Sequence, residues 1–84
     1  PPAFKQYREK DGQFYFKLVD AKGRLLLQST GFASPRDAGK AIARLQDEGE
    51  TALAALAGQL APVEGVLPED LSMALQALKD AGNA

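Results

Sequence analysis

Gly12-Gln13-Phe14-Tyr15-Phe16-Lys17-Leu18 is the stretch on which the fold turns. Along a β-strand successive side chains point to opposite faces. Phe14, Phe16 and Leu18 therefore share one face, and Tyr15, Lys17 and Val19 share the other. The first row is apolar and suits a core. The second mixes a phenol, an ammonium group and an aliphatic side chain, which suits water, a second chain or a ligand.

Turn signals bound this strand on both sides. Asp11-Gly12 sits between it and a weaker alternating run at Phe4–Arg8, and Asp-Gly in that setting marks a hairpin. Asp20-Ala21-Lys22-Gly23 is a second turn, followed by a strand over Arg24–Gln28 that holds three consecutive leucines. Together these predict a three-stranded antiparallel meander.

A helix start follows. Ser34 is a capping residue, Pro35 suits the first helical position, and Asp37 stands where an acid favours free backbone amides. Ala38, Ala41, Ile42 and Leu45 recur at helical spacing, and Gly49 marks the end. Thr51–Leu60 reads as a second helix with Leu53, Leu56 and Leu60 on one side. Pro and Gly break the chain between Ala61 and Val66. Pro68 opens a third helix that runs to Gly82, with Leu71, Ala74, Leu75 and Leu78 as its stripe. The predicted fold class is α+β, one domain over 1–84. It comprises a βββα unit over 4–48 and a helical extension over 49–84. A sheet of this kind has one covered face and one wet face. The helix over 35–48 is expected to cover Phe14, Phe16 and Leu18.

Composition excludes much chemistry. The 84 residues contain no cysteine and no histidine, so Cys-His, Ser-His-Asp and His- or thiolate-based metal constellations are ruled out. The hydroxyls Ser29, Thr30 and Ser34 lack a histidine to activate them, and Ser34 reads as a cap. Asp47-Glu48 and Glu69-Asp70 lie at helix ends, where solvated acids are ordinary. Neither catalytic residue nor cofactor is expected. No apolar run approaches the roughly 18–20 residues that span a bilayer. Lack of cysteine fits a cytoplasmic location. The opening Pro1-Pro2-Ala3-Phe4 looks like a linker cut from a longer protein.

Charge is divided along the chain. Up to Gln46 there are nine basic and four acidic residues; from Asp47 onward there is one basic residue against seven acidic. Such asymmetry points to an interaction surface, or simply to acids gathered on helices. Two candidate nucleic-acid surfaces arise. If the first loop has an odd length, Lys5, Tyr7, Tyr15 and Lys17 share the face opposite the core, with Arg24 nearby. An even length moves Tyr7 into the core and breaks that patch. Aromatic rings beside lysines stack bases and neutralise phosphates. The ordinary reading is that Tyr7 and Tyr15 are a cross-strand pair that stabilises the hairpin. The second surface is the helical row Arg36, Lys40 and Arg44, extended by Lys22 and Arg24. Its ordinary reading is the wet face of an amphipathic helix.

The positions Phe4, Gly12, Phe14, Phe16, Leu18, Gly23, Ser29, Phe32, Ser34, Ala38 and Ile42 resemble the pattern of the YegP-like family, small bacterial domains of unknown function. Phe32 stands where that family usually has Tyr, and Lys22 where Asn is common. The resemblance implies a βββα unit that occurs in tandem or pairs as a dimer. A single copy then needs either self-association, as a homodimer or protein-interaction module, or cover from its own C-terminal helices. The run from Phe4 to Gly39 is also similar to the extra C-terminal segment of some proteobacterial tryptophanyl-tRNA synthetases. That resemblance implies a non-catalytic accessory domain whose partners are tRNA and the remainder of a parent ligase.

Overall fold

A computed structural model describes residues 1–83; Ala84, the last residue of the domain expected over 1–84, lies outside the described residues. Four antiparallel strands form one sheet in the order β1 (Ala3–Arg8), β2 (Phe14–Val19), β3 (Leu25–Ser29) and β4 (Leu60–Ala61). Three α-helices accompany them: α1 (Pro35–Glu48), α2 (Thr51–Ala55) and α3 (Pro68–Gly82). The α+β class and the meander packed by a helix are as the sequence predicts.

The first hairpin has five connecting residues, and Gly12 takes the left-handed φ of 78° that its tight turn requires. This length pairs Tyr7 with Tyr15, Lys5 with Lys17 and Phe4 with Leu18. The loop length is therefore odd. Phe4 and Gln6 thus join the face of Phe16 and Leu18, and the tyrosines lie on the opposite face.

Between β2 and β3 the register slips: Leu18 faces Leu27, but Val19 faces Leu25. Leu26 is the extra residue of this bulge, and both Leu26 and Leu27 are buried. A strictly alternating strand would expose one of three consecutive leucines to each face in turn. The bulge sends two of them inward.

Ser34 caps α1 as the sequence indicates, its Oγ accepting the N–H of Asp37 at 3.1 Å. Ala38, Ala41 and Leu45 face inward; the two alanines let the helix approach the sheet closely. Helix α3 brings Ala74 and Leu75 into the same cluster. Phe16, Leu18, Leu45 and Leu75 are the fully buried large side chains at its centre. Both long helices thus pack on the Phe16/Leu18 side. Ser72 donates a hydrogen bond to Glu50 and ties α3 to the approach of α2.

The segment expected to be helical over 51–60 differs. Helix α2 stops at Ala55, a 3-10 turn covers Ala57–Gln59, and Leu60–Ala61 leaves the helix to pair with Ser29 and Gln28. The outer edge of β3 has backbone groups that need partners, and β4 supplies them. Gly58 weakens helix continuation at that point. The sheet therefore has four strands rather than three.

Candidate nucleic-acid interface

The face opposite the core is built from alternate residues of all four strands. In register it has three rows crossing the strands. Tyr7 and Tyr15 form one row; Lys5, Lys17, Gln28 and Ala61 form the next; Ala3, Val19 and Leu25 form the third. Successive rows are two residues apart, about 6.6 Å along a strand. Among these residues the charged ones are both lysines.

The tyrosines are stacked, with ring centroids 5.6 Å apart and planes 14° from parallel. The cross-strand pairing anticipated for the hairpin is thus present, and it leaves both rings partly buried on the open face. Lys17 Nζ lies 5.6 Å from the centroid of Tyr7, close enough for a cation–π contact. Lys5 stands directly opposite Lys17, an arrangement of like charges that disfavours the pair unless an anion joins it.

Asp11, at the hairpin tip, closes the aromatic end. Its carboxylate accepts the Tyr15 hydroxyl and the Gln13 N–H, the latter at 2.8 Å. The Tyr15 hydrogen bond is the main reason that the Asp11 carboxyl sits below its ordinary pKa, with the Gln13 amide second. The same bond raises the Tyr15 phenol. The Asp11 carboxylate thus lies at the tyrosine end of the face, with the lysine row beyond the rings.

The other sequence candidates lie elsewhere. Arg24 turns towards the helical side, with Nε 2.7 Å from Asp20 Oδ2 and a terminal nitrogen 4.0 Å from Asp70 of α3. Asp20 also accepts the N–H groups of Lys22 and Arg24, each at 2.9 Å. Hydrogen bonding to Arg24 is the first cause of the lowered Asp20 pKa, and Arg24 is raised in return. Lys22 is exposed in this turn.

Arg36, Lys40 and Arg44 are exposed on α1, across the core from Lys5 and Lys17. Arg44 is held by Glu48 through two contacts of 2.8 and 3.0 Å, which lower the glutamate and raise the arginine. Lys40 and Arg44 border an open groove of about 710 Å³ whose floor includes Phe32 and Leu56. Arg24 faces α3 and does not continue this row.

The nine candidates thus fall into three groups: Lys5, Tyr7, Tyr15 and Lys17 on the open face, Lys22 and Arg24 at a turn, and Arg36, Lys40 and Arg44 on the helical side. Sequence reasoning missed Gln28, Leu25 and Ala61 as members of the open face. Their placement depends on the β2–β3 bulge and on β4, and neither has a local sequence signal. Among the described residues no helix is long and apolar enough to cross a membrane.

The chain is 54% identical over 80 residues to a tryptophan–tRNA ligase of Xanthomonas axonopodis pv. citri (strain 306), covering 95% of this chain and 18% of that protein. It is 51% identical over 81 residues to the tryptophan–tRNA ligase of Xylella fastidiosa (strain 9a5c), covering 96% and 18%. With the Bordetella pertussis ligase it shares 49% identity over 45 residues, 54% of this chain and 10% of the relative. The chain therefore spans under a fifth of the length of these curated relatives. No solved structure shows a significant match. Residues 9–54 match a family described as a domain of unknown function, DUF1508, and with more than half of its length in that match the chain belongs to this YegP-like family.

Proposed function

We propose that the chain is a non-catalytic accessory domain of a tryptophan–tRNA ligase, cytoplasmic like its substrate, and that it assists tRNA binding. The observation that carries this reading is the 54% identity over nearly the whole chain to a protein of that name, of which the chain spans a minor part. The open sheet face supplies a physical means. Its Lys5–Lys17 pair attracts phosphates, and its partly buried tyrosines offer rings beside that charge. Aminoacylation belongs to the rest of the parent chain.

The test is direct titration of the chain with tRNA by fluorescence anisotropy over a range of salt. Binding that falls steeply and linearly on a log–log salt plot is the expected result. Lack of binding at low salt would remove the tRNA role. A second reading, a homodimerisation or protein-interaction module, is favoured by the outer edge of β1, a six-residue strand paired along β2 alone. Sedimentation of the free chain distinguishes it: a doubled mass without RNA affinity assigns the domain to assembly.

A further inference from the structure

We infer that the open sheet face takes unpaired RNA, one nucleotide spanning from the tyrosine row to the lysine row, rather than the phosphate ridges of a duplex. The inference rests on the tRNA reading above and adds which part of the RNA the domain holds.

Three observations define the occupant. The face has a chemical order along the strands: carboxylate at Asp11, rings at Tyr7 and Tyr15, ammonium groups at Lys5 and Lys17, then aliphatic side chains at Val19 and Leu25. The Asp11 carboxylate is hydrogen-bonded at the tyrosine end of the face, and the lysines offer a phosphate two ammonium groups one row further on. That order places a base against the tyrosines and its phosphate between the lysines. Row spacing of two residues, about 6.6 Å, suits the separation of base and phosphate within one nucleotide.

The second observation is the uncompensated Lys5–Lys17 pair. Arg24 and Arg44 each have a carboxylate partner, whereas these two lysines share a row with an amide, Gln28, and a methyl group, Ala61. Two ammonium groups in one row without an acid complement a phosphate. The third is that the stacked rings remain partly accessible on the open face. A base stacks on an aromatic side chain when it is free of its own helix, so the tyrosine row gives nothing to a duplex. A base-paired stem would meet only the two lysines.

The experiment compares an unstructured oligouridine of about ten nucleotides with a blunt RNA duplex of equal length, using the wild-type chain at one low salt concentration. The oligouridine is expected to bind at least about tenfold more tightly. Lys5→Gln and Lys17→Gln are each expected to reduce the log–log salt slope by about 0.7. Tyr7→Leu is expected to weaken binding about tenfold with the slope unchanged. Arg36→Gln with Lys40→Gln, on the far side of the core, leaves binding as in wild type. Equal or tighter duplex binding overturns the inference, as does a salt slope indifferent to Lys5 and Lys17. If tRNA binds and oligouridine does not, the inference falls while the tRNA reading stands. If neither binds, both fall. A doubled mass of the free chain that Tyr7→Leu returns to a monomer gives the face to a second copy and likewise overturns it. The central comparison needs no variant, so a substitution that impairs folding leaves it intact.

Discussion

Tyr15 shows how much one side chain can owe to three neighbours. Tyr7 stacks on its ring, and Asp11 accepts its hydroxyl, while its backbone belongs to the best strand in the chain. Alternation alone places Tyr15 opposite Phe14 and Phe16. Its partnership with Asp11 was not legible, because it depends on how a five-residue loop folds back over β2. The hydrogen bond requires a protonated phenol and an ionised carboxyl. Tyr15 is raised, so its contribution is present below about pH 10 and is lost as pH rises through the folded value. Asp11 is lowered, so its contribution is present above about pH 4 and is lost as pH falls through the folded value. The hydrogen bond lies at the exposed hairpin end, and the effect on stability is accordingly small. Thermal melts of wild type and Tyr15→Phe between about pH 3 and 11 should differ most at neutral pH and converge at both extremes. A difference constant across that range would show that the hydroxyl contributes through packing alone.

At the scale of elements, local signals were reliable where backbone groups are satisfied nearby and unreliable where they are satisfied at a distance. Ser34 and Pro35 begin α1 within the sequence of the helix itself, so that start was legible. The segment over 51–60 was not. Leu53, Leu56 and Leu60 pack against one cluster whether the chain is helical or bends after Ala55. The same leucine pattern fits both forms, and pairing with β3 decides between them. Thr30 N–H donating to Gln59 O at 3.0 Å continues that pairing beyond β4.

Ser29 is a related case. The β2–β3 ladder holds from Lys17↔Gln28 outward, and β2 meets the chain again at Phe14↔Phe32. In the gap, the Phe16 N–H donates to Ser29 Oγ at 2.9 Å in a buried setting. A serine that the family pattern marks is thus explained as a side-chain substitute for a missing backbone acceptor. Phe32 from the same pattern is anchored by two backbone bonds to Phe14 and stacks on Phe16 with centroids 6.0 Å apart. Ser29→Ala strands the Phe16 N–H and is expected to cost about 1–3 kcal/mol. The measurement is a urea midpoint shift at unchanged slope. A loss below about 0.5 kcal/mol would mean that water replaces the hydroxyl.

For the whole molecule, the question is whether the C-terminal half is an addition to the βββα unit or part of its core. The charge division does not decide this, because acids of the second half already pair with bases of the first: Asp70 approaches Arg24, and Glu48 holds Arg44. Packing does. Ala52, Leu56, Ala74 and Leu75 belong to the same buried cluster as Phe16, Leu18 and Leu45. Removing them uncovers Leu45 and Leu26 and strips β4 from the edge of β3. A chain of 49 residues is also near the lower limit at which a single core is sufficient. We therefore expect a 1–49 fragment to lose the cooperative thermal transition of the full chain. If it recovers a transition only by doubling its mass, a second copy is replacing the missing helices, and α2–α3 serve the same purpose within one chain. A monomeric 1–49 fragment with a sharp melt at the full chain's temperature would instead make the helices an attachment. The domain would then be free to present α3, with its exposed Met73, to another surface.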